Sequence, residues 1–293
     1  MREIFTAISG LKKFLSMNVF AIGALGGSGT RAVAKILQGA GVYMGDDLNE
    51  PLDNLVFTRL FKNPDWYQSS RPDEKNYRLK IFQSYMQNGR LPPVMLFSYL
   101  KASFNNPLIT TSVKNYIHSL SWMVRPTAHR LSWGWKEPNT QIYVEDILSF
   151  YPSLKYIHVL RHGLDMAFSS NKQQLYNWGW LYNIQCSKMD DEITQSIQQL
   201  NYWIATTRHI LNLTQKYPDR ITLLSHSKLC TNPIETIDHL FEFLNIKVRP
   251  EILTKLYRIP KNNGTINRYK ERDISIFSSS QIQFVKDMGF QVE

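Results

Sequence analysis

The segment Gly23-Ala24-Leu25-Gly26-Gly27-Ser28-Gly29-Thr30-Arg31 combines residue types suited to holding an anion. Glycines let successive backbone N–H groups close on a charged oxygen, and Ser28 and Thr30 add hydroxyl donors. The apolar run 18–22 precedes the segment. Ala32, Val33, Ile36 and Leu37 follow it at helical spacing, so the glycines join a buried strand to a helix. A helix N-terminus there adds a positive field. Two further charged positions fall where strands are expected to end. Lys136-Glu137-Pro138 follows the short apolar run 131–135, and Pro138 disfavours a helical Glu137. Arg161 ends the run 155–160. The carboxyl edge of an open α/β sheet is the usual location of a ligand. There is no HExxH pattern and no clustered Cys/His spacing, so no metal is predicted.

Three phosphate chemistries compete for the glycine segment. A GxxxxGK[ST] loop needs a lysine after its last glycine, and counting from Gly23 that slot is Gly29, so a kinase or ATPase lacks its central residue. GxGxxG is absent. The looser GxxxGxG of short-chain dehydrogenases fits Gly23, Gly27 and Gly29, but its Tyr–Lys pair is met only by Tyr151 and Lys155, with Pro152 between them and a strand following. The third chemistry is sulfuryl transfer. Ser28-Gly29-Thr30-Arg31 resembles the 5′-phosphosulfate loop of sulfotransferases that use 3′-phosphoadenosine 5′-phosphosulfate (PAPS), with Gly27 in the slot of their basic residue. KYIHVLRHGLDMAFSSN resembles their 3′-phosphate segment, an Arg at a strand end and a Ser eight residues on, here Arg161 and Ser169. Gly134-Trp-Lys-Glu-Pro138 resembles the lysine segment of the carbohydrate-type and bacterial branch. HSKLCTNPIETIDHLFEFLNI is similar to the family's late strand-to-helix segment. Thr265-Ile-Asn-Arg-Tyr269 is similar to the C-terminal segment whose basic residue closes on the 3′-phosphate. The likeness covers residues 18–31 and about 131–270, not 46–130.

The resemblance implies a three-layer α/β fold, a central parallel sheet flanked by helices, P-loop NTPase-like, with a helical insertion. It implies PAPS as cofactor and adenosine 3′,5′-bisphosphate (PAP) as product. Gly26, Gly27, Ser28, Gly29, Thr30 and Arg31 would cradle the phosphosulfate. Arg161, Ser169 on the following helix, and Arg268 would hold the 3′-phosphate, for which a guanidinium offers a planar fork. Lys136, with Arg31 as helper, would supply the charge that Gly27 cannot, and Glu137 is the nearest candidate base. Asp46, Asp47, Glu50, His118 and His129 are alternatives; His158 and His162 are read as structural. The acceptor is a hydroxyl or amine of a saccharide, lipid, phenol or peptide. The aromatic cluster Tyr176, Trp178, Trp180, Tyr182 is read as core packing rather than a sugar platform. A nucleotide kinase-like phosphotransferase and a non-enzymatic polyanion binder are the rival readings.

These groups need a scaffold, and the rest of the sequence predicts one. The 293 residues are 43% hydrophobic, enough to bury a sizeable core. They are read as one domain over 1–293, with 46–130 a mostly helical insertion covering the acceptor site and 114–124 its clearest amphipathic piece. Helices are expected over 30–39, 140–150, 163–174, 190–216 and 233–244, with Asn232 capping the last. Strands are expected over 18–22, 131–135, 155–160 and 221–224. The formal charge of +10 favours anionic partners. The basic residues are scattered, so a nucleic-acid arm is not expected. Cys186 and Cys230 suit no disulfide framework and point to a reducing, cytoplasmic compartment. Lys12 and Lys13 interrupt the N-terminal apolar run, which argues against a signal peptide, and no stretch reaches the ~20 apolar residues a membrane span needs.

Overall fold

A computed structural model of the chain describes residues 18–108, 120–121, 123, 130–261 and 266–293. Lys12-Lys13, most of the 114–124 piece, His118, His129 and Thr265 lie outside these residues. Strand β1 (Asn18–Gly23) has every residue after Asn18 buried, as a strand covered on both faces requires. Helix α1 (Thr30–Gly39) follows and buries Val33, Ala34, Ile36 and Leu37. Among the described residues of 46–108 four helices follow: α2 (Leu55–Phe61), α3 (Pro64–Ser69), α4 (Pro72–Asn88) and α5 (Pro93–Phe104). Prolines begin three of the four, the position where a missing N–H costs nothing. Then come β2 (Ser132–Lys136), α6 (Val144–Phe150), β3 (Leu154–Leu160), α7 (Gly163–Ala167), α8 (Gln173–Trp178), α9 (Glu192–Lys216) and β4 (Ile221–Ser225). Helices α10 (His226–Thr231), α11 (Pro233–Leu244), α12 (Pro250–Leu256) and α13 (Ser279–Asp287) complete the order.

The strands form one parallel sheet in the order β2-β1-β3-β4, flanked by helices. From β1 the chain goes to β2 on one side and then returns to β3 on the other. The order therefore reverses at β1 and β3, and ligands of open α/β sheets bind beyond the carboxyl ends at such a point. Leu160 of β3 pairs with Ser225 of β4, which brings the start of α10 beside the residue that follows β3. No helix among the described residues is long and apolar enough to cross a membrane. Both cysteines are free.

Three expected elements differ. The segment 140–150 begins earlier, as a 3-10 turn from Pro138 to Tyr143 that leads into α6, because proline presets the first helical φ. The helix expected over 163–174 is broken into α7 and α8. Between them Ser169 Oγ accepts the Asn171 N–H at 3.3 Å and Asn171 Oδ1 accepts that of Gln173 at 3.4 Å. Such side-chain bonds compete with the helical ladder. Asn232 precedes α11 but does not cap it through its side chain; its amide instead donates to the Glu235 carboxylate.

The chain divides into two compact units. The first comprises Gly41–Glu137, Tyr143–Lys155 and the stretch ending at Ala21. Its core is aromatic: Trp135 stacks on Phe57 at 5.4 Å and on Trp133 at 5.8 Å, and Phe82 meets Trp135 edge-on at 5.1 Å. The second comprises Ile22–Ala40, Pro138–Ile142 and Tyr156–Glu293. There Trp203 of α9 is buried, and its indole N–H donates to the carbonyl of Arg161 at 3.1 Å, which pins the end of β3.

Within the first unit Asp47, a candidate base by sequence, is buried in an ion pair with Arg59 at 2.5 Å, and Arg59 also donates to Tyr99 Oη at 3.1 Å. Removing one member of such a pair leaves a buried charge uncompensated. Asp47→Ala should lower unfolding free energy by about 3–5 kcal/mol, read from the denaturant midpoint at unchanged slope.

Candidate active site

The second unit assembles the loop and the basic residues that the sequence pairs only at a distance. Gly27 and Gly29 have φ of 92° and 86°, a backbone region that side chains rarely adopt. A Cβ at Gly29 would also collide with the ring of His226. Gly29 precedes α1 with no side-chain cap, and the first turn of α1 holds no acidic residue, so no side chain of that turn offsets the positive end of the helix. Ser28 and Thr30 are buried and Arg31 is exposed. The N–H of Gly26 is taken by Gln174 Oε1 at 2.6 Å, while Gln174 Nε2 donates to the Ala24 carbonyl at 3.2 Å. Gln174 thereby holds the loop's shape from α8.

Arg161 emerges from β3 and reaches back to the loop, its Nη1 donating to the Gly27 carbonyl at 2.8 Å. Ser169 lies in the turn after α7 rather than on a helix. A Cβ built at Gly27 would stand 3.8 Å from its Oγ. Arg268 joins the same corner through Asp165, donating Nε–H to the Asp165 carbonyl at 2.8 Å. The Asp165 carboxylate accepts the N–H groups of Asn267 at 3.0 Å and Tyr269 at 3.2 Å, and lies 3.8 Å from Arg161 Nη2. Burial, and next the charge of Arg268, lower the pKa of Arg161 from the ordinary arginine value. The corner therefore holds two close guanidiniums at the loop's edge. Arg161, Asp165 and His226 also line a cavity of about 640 Å³ together with Asn267 and Tyr269.

In the first unit Lys136 is nearly fully buried, and its ammonium is 2.5 Å from Asp53 Oδ1 and 3.2 Å from the Pro51 carbonyl. Asp53 is thus its partner, a residue that no sequence pattern marked. Glu137 is buried beside it in extended backbone. Asp46 accepts from Tyr43 Oη at 2.6 Å and lies 3.6 Å from Arg130, so both it and Asp47 are engaged structurally. Glu50 is exposed.

His158 shares a hydrogen bond with Tyr156 Oη at 3.0 Å, and burial pushes its pKa down to about 3. His162 accepts the Leu164 N–H at the start of α7 and stacks on Tyr269 at 4.5 Å. Trp178 is core, its N–H on Asn139 Oδ1 at 2.9 Å, whereas Trp180 is 38% exposed. Asp165, Asn171, Gln174 and His226 went unmarked in sequence. Only Asp165 carried a signal, its position one helical turn after Arg161.

The family model described as Sulfotransferase family matches residues 20–250. A search of curated proteins returns no match. Among solved structures, the sulfotransferase domain of a Synechococcus olefin synthase has a TM-score of 0.51 at 14% identity, over 94% of this chain and 95% of that one. The sulfotransferase domain from the curacin biosynthetic pathway has 0.51 at 13%, over 94% and 99%. A sulfotransferase from Mycobacterium avium has 0.50 at 12%, over 95% and 78%. At these identities the likeness is one of fold.

Burial, and next the charge of Arg161, lower the His226 pKa to about 4, so the folded chain holds this imidazole neutral. An unfolded histidine takes up its proton near 6.5. The contribution is therefore complete above about 6.5 and is lost as pH falls toward 4, where the folded ring also protonates. Unfolding free energy should drop between pH 7 and pH 4.5, and His226→Asn should lessen that drop in paired denaturant titrations.

Proposed function

The chain belongs to the sulfotransferase family, and from that membership we propose that its sulfuryl donor is PAPS and its acceptor a hydroxyl or amine, a saccharide among the candidates. One observation carries the reading of the donor. Arg161 is bonded to the carbonyl of Gly27 in the anion loop, and Arg268 is joined to Arg161 through Asp165. A loop with an uncapped helix N-terminus thus lies next to a second, doubly basic corner. A nucleotide with separate anionic groups on its 5′ and 3′ oxygens matches both.

In this reading residues Gly26 to Thr30 receive the 5′-phosphosulfate and Arg161, Ser169 and Arg268 receive the 3′-phosphate. The acceptor oxygen or nitrogen attacks sulfur in line. The S–O bond to the 5′-phosphate breaks, its electron pair stays on the phosphate oxygen of PAP, and the acceptor proton passes to a base, for which Glu137 is proposed. Lys136 offsets the charge that develops on the leaving oxygen, with Arg31 as helper. The burial of Lys136 at the carboxyl end of β2 supports this role, because a desolvated cation acts more strongly on developing charge. Asp53 would then hold Lys136 oriented before the donor arrives.

Two expectations test the reading. Calorimetric titration should show tighter binding of adenosine 3′,5′-bisphosphate than of adenosine 5′-monophosphate. Arg161→Ala should reduce bisphosphate binding by about 1.5–3 kcal/mol, the scale of a charged hydrogen bond. Equal affinity of the unaltered protein for both nucleotides counts against the assignment. With labelled PAPS and an acceptor panel, Lys136→Ala should slow the chemical step on the order of a hundredfold while bisphosphate affinity is retained. Near-normal turnover in Lys136→Ala together with loss in Arg31→Ala would reverse the two roles.

A further inference from the structure

The turn between α7 and α8 carries a cation that neither the loop motif nor the Arg161–Ser169 spacing accounts for. Lys172 is 8% exposed, and its ammonium donates to the Ser169 carbonyl at 2.9 Å. Among the described residues that is its one hydrogen bond, and no carboxylate lies within 4.0 Å of it. Arg268 likewise has a carbonyl acceptor and no carboxylate within that distance, among the described residues. Burial lowers the pKa of Lys172, the nearby Glu192 opposes that, and the charges of Arg268 and Arg272 lower it further. Arg268 in turn lowers the pKa of Arg161. Lys172, Arg268 and Arg161 therefore crowd positive charge near Ser169, where Asp165 answers Arg161 at 3.8 Å and Glu192 acts on Lys172 only from beyond ion-pair distance.

A buried cation with no carboxylate in ion-pair range is costly, and like charges at close range add to the cost. Such a cluster is complete only when an anion enters. The turn also touches the loop directly: Ser169 Oγ faces Gly27, and a Cβ at Gly26 would stand 2.7 Å from Asn171 Nδ2. Whatever Lys172 binds is thus adjacent to what the loop binds.

We propose that Lys172 is a further ligand-binding residue, the third cation, with Arg161 and Arg268, for a doubly charged phosphate seated at Ser169. This rests on the PAPS reading above, in which that phosphate is the one on the ribose 3′ oxygen. Its two charges match a site of several cations better than a singly charged group does, and an ammonium with two unused N–H groups has donors to offer it.

The test is calorimetric titration of adenosine 3′,5′-bisphosphate and adenosine 5′-monophosphate into the full chain, its Lys172→Met variant and its Lys172→Arg variant. Methionine keeps most of the buried stem and removes the charge. Lys172→Met should weaken the bisphosphate tenfold or more and change the monophosphate less than twofold, and Lys172→Arg should recover most of the loss. The ligand-free melting temperature of Lys172→Met should equal or exceed that of the unaltered chain, because repulsion is relieved. A residue that merely packed the turn would lower it. If the unaltered chain prefers the bisphosphate and Lys172→Met keeps that preference in full, the inference on Lys172 is overturned and the PAPS reading stands. If the unaltered chain shows no preference, both fail. A variant that weakens both nucleotides equally with a lowered melting temperature assigns Lys172 to packing and overturns the inference.

Discussion

The buried carboxylate of Asp165 is the point from which the second unit's basic corner is organised. It accepts two backbone N–H groups, from Asn267 and Tyr269, and faces the guanidinium of Arg161. The first contacts draw the C-terminal segment, with Arg268, onto the sheet edge. The last holds Arg161 where its other nitrogen reaches the Gly27 carbonyl. Without a carboxylate at this position two guanidiniums would have to approach in a poorly hydrated place with nothing to offset them, an arrangement that burial makes expensive. Asp165 thus makes the site possible while leaving it short of negative charge.

Burial acts on the same groups. Arg161, Arg268 and Lys172 all have their pKa values lowered, with burial the largest cause in each case. His226, set on Gly29 and under the influence of Arg161, is kept neutral and so adds no further charge. The loop offers N–H groups and a helix terminus with no side-chain cap, and Gly27 brings no side-chain cation to it. This surplus of positive charge supports the proposed anionic donor over a neutral ligand.

The first unit follows a different logic. Several of its charges form ion pairs. Lys136 is joined to Asp53, Arg59 to Asp47, and Arg130 lies by Asp46. Around them is an aromatic core of Trp133, Trp135, Phe57 and Phe82. Acidic residues that looked available as bases are held by arginines, and the lysine with a proposed catalytic role is held by an aspartate. A paired lysine keeps its direction, which a transition-state contact requires of it in advance.

The sequence by itself determined the parts that depend on short-range constraints. The strand–glycine–helix opening is legible to within one residue of its observed bounds, because a continuous apolar run, glycines able to take positive φ and a 3.6-residue apolar spacing are local properties. Arg161 at a strand end was legible for the same reason. The helix read through 163–174 failed because its interruption comes from hydrogen bonds of Ser169 and Asn171, which periodicity does not register. The tertiary structure alone decided the partners. Asp53 meets Lys136 across 83 positions of chain, and Arg161 meets Gly27 across 134. Which charges become buried together, and which are left without a carboxylate in ion-pair range as Lys172 is, depends on how the sheet order and the C-terminal segment fold back. Desolvation is set by that packing and not by residue type, so the site's electrostatic character became visible only in three dimensions.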